Sequence, residues 1–71
     1  MLNTTYKGHT ISRVKLKRYG ETGEPAILIQ IKKPEGELYT IVKSIVLKDR
    51  TMHAVSRAMK DCYRYIDSIV P

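Results

Sequence analysis

A chain of 71 residues has room for one small domain, whose core is marginal without a staple or a partner. An apolar fraction of 42% with 28% charged residues and a net charge of +6 excludes a disordered chain, and the longest apolar run, Ala26 to Ile29, is far too short to cross a bilayer. Cys62 stands alone, so no internal disulfide forms, and His9 and His53 lack the Cys/His spacing of a zinc site.

The opening segment, Asn3 to Thr10, either adds a short strand or leads into the first one, with Gly8 marking a bend. Its polar start argues against a signal peptide, and with the single cysteine it gives the expectation of a cytoplasmic protein. Ile11 to Tyr19 alternates: Val14 and Leu16 share one parity, Arg13, Lys15 and Lys17 the other. That pattern predicts a strand with one buried and one wet face, the three cations on the wet one. Residues 1–19 carry five cations and no acid, so most of the charge imbalance sits here. Gly20 to Pro25 reads as a loop.

A second strand is expected from about Ala26 to Lys33, with Ile27, Ile29 and Ile31 on one face and Leu28, Gln30 and Lys32 on the other. Pro34, Glu35 and Gly36 close it in a turn suited to an antiparallel hairpin. The third strand, Leu38 to about Val46, is rich in β-branched residues but alternates poorly. Either a bulge near Lys43 and Ser44 switches faces, or both faces are covered.

The last element is a helix over about residues 50–69, capped by Asp49 or Thr51. Met52, Val55, Met59, Cys62, Ile66 and Ile69 recur at spacings of 3 and 4, which stacks them on one face. Arg57, Lys60 and Arg64 fall on the opposite side, with Asp61 one turn from Arg57. The fold expected for residues 1–71 is therefore one α+β domain: a three-stranded antiparallel β-sheet over about residues 9–46, packed on one C-terminal α-helix.

No catalytic constellation is present. Cys62 lies in the apolar stripe of the helix, where an unpaired cysteine serves as a small core residue. Glu35 and Glu37 flank a turn, where solvation accounts for them, and no phosphate-binding or nucleophile-elbow motif occurs. The expectation is a protein that binds rather than catalyses, without cofactor or metal.

Three surfaces are candidates. Arg13, Lys15 and Lys17, joined by Gln30 and Lys32, form a row of cations and donors on the sheet face away from the helix, suited to nucleic-acid phosphates, with Tyr19 and Tyr39 available to stack on bases. The plain alternative is a solvated strand face whose lysines deter edge pairing. Arg57, Lys60 and Arg64 make a secondary basic stripe, most simply a solvated helix face. Leu28, Leu38, Val42 and Val46 exceed what one helix can cover and suggest a dimer or partner interface, unless a bulge turns them inward.

Tyr6, Lys7, Gly8, His9, Thr10 and Ile11 at the start, and Tyr63, Arg64, Tyr65, Ile66 and Asp67 near the end, resemble the ends of many small phage- and prophage-encoded proteins, with His9 in place of the usual aromatic. The resemblance implies a mobile-element origin and a sheet-plus-helix shape. At the level of architecture the chain is also similar to the arm-binding domains of phage integrases, which lay a three-stranded sheet in a DNA groove, although their arginine and aromatic pattern is not present. The leading expectation is thus a small nucleic-acid-binding protein acting through a basic sheet face. The alternatives are a protein-binding accessory factor or inhibitor of a host nucleic-acid-handling or defence complex, and a structural homodimer.

Overall fold

The computed structural model of the chain describes residues 2–21 and 23–70, without the side chains of Leu2 and Tyr19. Four strands, β1 (Leu2–Tyr6), β2 (His9–Tyr19), β3 (Glu24–Glu35) and β4 (Leu38–Leu47), precede one helix, α1 (Met52–Ile69). They form one antiparallel sheet in the order β1-β2-β3-β4. The α+β plan of an antiparallel sheet and a C-terminal helix agrees with expectation, and the opening segment is a full fourth strand. Among the described residues no helix is long and apolar enough to cross a membrane.

Strand β1 joins β2 through the two-residue turn Lys7-Gly8, with Tyr6 opposite His9. Both turn residues have positive φ, 46° and 77°, the condition for the primed turns whose twist matches that of the flanking strands. Glycine at position 8 takes this conformation without steric cost. A second tight connection at Gly36-Glu37 joins β3 to β4. Pro34, expected in that turn, lies within β3 opposite Tyr39. The last β2 partner of β3 is Thr10, opposite Lys32, so Pro34 sits where β3 has one neighbour and its missing N–H breaks no ladder bond.

The faces of the sheet follow from register, because directly opposed residues project to the same side. Ile31, Ile29 and Ile27 of β3 face Ile11, Arg13 and Lys15 of β2, and Lys43, Ile45 and Leu47 of β4. This side carries the core: Ile11, Ile27, Ile29 and Ile31 pack with Ala58, Cys62 and Ile66 of α1. Arg13 and Lys15 therefore project to the helix side of the sheet, which overturns the expected row on the far side. The reason is that β2 has apolar residues on both parities. Val14 and Leu16 mark one side and Ile11 the other, and the isoleucine stripe of β3 decides between them.

The irregularity in β4 is a bulge. Lys43 is opposite Ile31 and Ile41 is opposite Lys32, leaving Val42 unpaired between them. Val42 packs against the core beside Ile45 and Leu47, while Ile41 turns outward and is 49% exposed. A bulge one position from the expected place thus shifts the side-chain alternation.

The helix begins at Thr51, whose Oγ1 accepts from the Ala54 N–H at 3.2 Å. Asp49 instead accepts from the Thr51 N–H at 3.0 Å, so both candidate caps are used in series. Ala58, Cys62 and Ile66 form the buried line of α1, with Val55 and Met59 partly buried beside it. The ends of the expected stripe are uncovered: Met52 is 88% and Ile69 45% exposed. Near its other end α1 is strapped to the first turn. The Tyr6 ring lies 4.7 Å from the Tyr63 ring, the Tyr6 hydroxyl donates to Asp67 Oδ1 at 2.8 Å, and Lys7 Nζ pairs with the same oxygen at 2.6 Å.

Candidate functional site

Because α1 follows β4 and ends over the β1–β2 turn, its N-terminal half leaves the far portion of β2 uncovered on the helix side. Two adjoining clefts open there, of about 560 and about 600 Å³. Both are lined by Lys15, Ile27 and Arg50. One continues past Leu16 and Ala26 to Lys48, Asp49 and Thr51, the other to Arg13, Val14, Met52, Val55 and Ser56. The floor is apolar, from Ile27 and Val55, and the rim is cationic.

Four cations from two separate segments meet at these clefts: Arg13 and Lys15 from β2, Lys48 and Arg50 from the connection between β4 and α1. The acid beside them is Asp49, whose carboxylate is engaged by the Thr51 N–H; that bond also holds its carboxyl below the ordinary range. None of the four cations is in an ion pair among the described residues, where the pairing present is Lys7 with Asp67. The first turn of α1 carries no acidic side chain, so the positive end of its dipole adds to the same field. The arrangement can attract and hold phosphate or carboxylate groups, with hydrogen-bond donors from guanidinium and ammonium groups.

The other expected site residues disperse. Lys17 is exposed in the irregular stretch between Leu16 and Tyr19, where it has no partner in β3. Gln30 and Lys32 lie on the open face, opposite Ser12 and Thr10, so they do not continue a row with Arg13 and Lys15. Gln30 donates to Ser44 Oγ at 3.3 Å, and the Lys32 ammonium sits 4.6 Å from the centre of the Tyr39 ring. The Tyr19 side chain lies outside the described residues. Arg57, Lys60 and Arg64 are all exposed on α1; Arg57 meets His53 at 3.1 Å rather than Asp61.

The four expected interface residues also separate. Leu28 and Val46 are direct neighbours on the open face, Val42 belongs to the helix-side core, and Leu38 is 77% exposed beside the β3–β4 turn. Lys48 and Arg50 were not singled out by the sequence pattern, although cations flanking a capping aspartate just before a helix mark such a rim. Cys62 is buried in the core, and burial pushes its thiol pKa up. His9 is buried, with Nδ1 3.1 Å from the Lys7 carbonyl oxygen. Among the described residues no group of three His, Cys, Asp or Glu side chains is placed to hold a metal ion. No protein-family model, curated protein or solved structure matches the chain.

Proposed function

We propose that this protein is a small non-enzymatic binding module that takes the phosphate backbone of a nucleic acid against the cationic clefts beside the start of α1. The observation that carries the reading is the convergence of Arg13 and Lys15 with Lys48 and Arg50 on one surface, without a competing ion pair among the described residues. Unneutralised cations held together by a sheet and a helix start release counterions when they meet phosphates, and that release is the main source of non-specific affinity. The binding surface differs from the expected one: it is a groove flanking the helix rather than the bare face of the sheet.

Fluorescence anisotropy with a labelled duplex and a labelled single strand, across a salt series, tests it. Replacing Arg13, Lys15 and Arg50 by Gln is expected to weaken binding to every sequence alike. The log–log salt slope should flatten by roughly one unit for each phosphate the variant no longer neutralises. Replacing Arg57, Lys60 and Arg64 by Gln is expected to do much less. The reverse ranking, or full affinity in the cleft variant, overturns the reading.

A further inference from the structure

The side of the sheet turned away from α1 is composed unlike the rest of the molecule. Register places Val14, Leu28 and Val46 in one row across β2, β3 and β4, with Leu16 and Ala26 paired beside them. The next row runs Asn3, Ser12, Gln30 and Ser44 across all four strands. Both rows are free of charge, on a chain of net charge +6. Val14, Leu16, Leu28 and Val46 keep part of their surface in water, and no second layer lies over them among the described residues.

We infer that a second copy of this chain packs sheet to sheet on this face. Charge selects the occupant. Two copies approaching by the cleft side or by the outer side of α1 bring several cations against cations, whereas this face lets them meet through neutral rows, with Lys32 in the row beyond, its ammonium over the Tyr39 ring, and interface centres are characteristically depleted of charge. The pattern is also self-complementary. A two-fold axis running along the strands between β2 and β3 lays the apolar row on its own copy and the amide and hydroxyl row on its own copy, as an isologous contact requires. The inference stands independently of what the clefts bind.

The experiment is solution mass by light scattering on the full chain at micromolar concentration, combined with crosslinking. The wild-type chain is expected at twice its 8.2 kDa mass. Leu28→Lys is expected to return it to single mass with an unchanged circular dichroism spectrum. Gln30→Cys is expected to crosslink with a short bis-maleimide, and Ser56→Cys, on the helix side, is not; the native Cys62 is buried in the fold. A single mass for the wild-type chain overturns the inference. So does a folded Leu28→Lys variant that stays double, or crosslinking at Ser56 in place of Gln30. Should Leu28→Lys fail to fold, the wild-type mass and the two cysteine variants decide the matter without it.

Discussion

The hydroxyl of Tyr6 and the carboxylate of Asp67 meet at 2.8 Å across 61 positions of sequence, fastening the first hairpin to the last turns of the helix. Lys7 completes the cluster from the turn itself, and the Tyr6 ring rests on Tyr63. One carboxylate thus answers to the hydroxyl and ammonium of two adjacent residues, one of them held at positive φ.

The strap makes stability depend on pH at both ends of the scale. The hydrogen bond to Lys7, then that to Tyr6, holds the Asp67 carboxyl below its ordinary range. Its contribution is therefore complete above the ordinary carboxylate range and lost as pH falls through the lowered value. Lys7 and Tyr6 are both shifted upward, first by their hydrogen bonds to Asp67; their contributions are complete below their ordinary pKa values and fade as pH rises through the raised ones. Asp67→Asn should lower the melting temperature slightly at neutral pH, the groups being solvent-exposed, and should show no deficit at strongly acidic pH. A deficit that persists there would point to packing rather than charge.

The helix start offers a sharper test. Thr51→Ala removes the side-chain oxygen that accepts from the Ala54 N–H and is expected to cost about 1 kcal/mol. Thr51→Ser should restore most of that stability. Urea denaturation followed by circular dichroism reads both.

In the core, Ile29 is 1% exposed and packs with the buried line of α1. Ile29→Ala should destabilise the chain by roughly 2–5 kcal/mol, the range for emptying a well-packed aliphatic site. Leu28→Ala, one position along and on the other side of the sheet, should cost clearly less in a monomer. Equal costs in a monomer would mean that both sides of the sheet are equally buried.

Cys62 has no exposed surface, and burial raises its thiol pKa, so it should react with a disulfide reagent only as fast as the chain opens. Adding denaturant should accelerate labelling in step with unfolding. Prompt labelling in plain buffer would show that the core around Ala58 and Ile66 is not closed.

The order of strands before helix was legible because each leaves a local pattern: the alternating isoleucines at 27, 29 and 31, and the three-and-four spacing from Val55 to Ile66. What misled was β2. Ile11 and the pair Val14 and Leu16 point to opposite sides, and a single strand contains nothing to rank them. Only pairing with β3 settles which side Arg13 takes, and pairing is not local information. Composition leaves the first strand as only one of two options for the opening segment, since Asn3, Thr4 and Thr5 lack an apolar stripe and owe their extended shape to a ladder with β2. The rim cations Lys48 and Arg50 were obscure for a related reason: they lie in a connection, and the turn into α1 brings them beside Lys15.

The cleft cations Arg13 and Lys15 and the neutral rows project from opposite sides of one sheet, and that arrangement limits what a doubled molecule can grip. Two copies joined through the neutral rows direct their cations outward, back to back. Such an assembly cannot close on one duplex like a pair of jaws; it would tether two separate strands or segments, its valency set by how far apart they can lie and still be reached together.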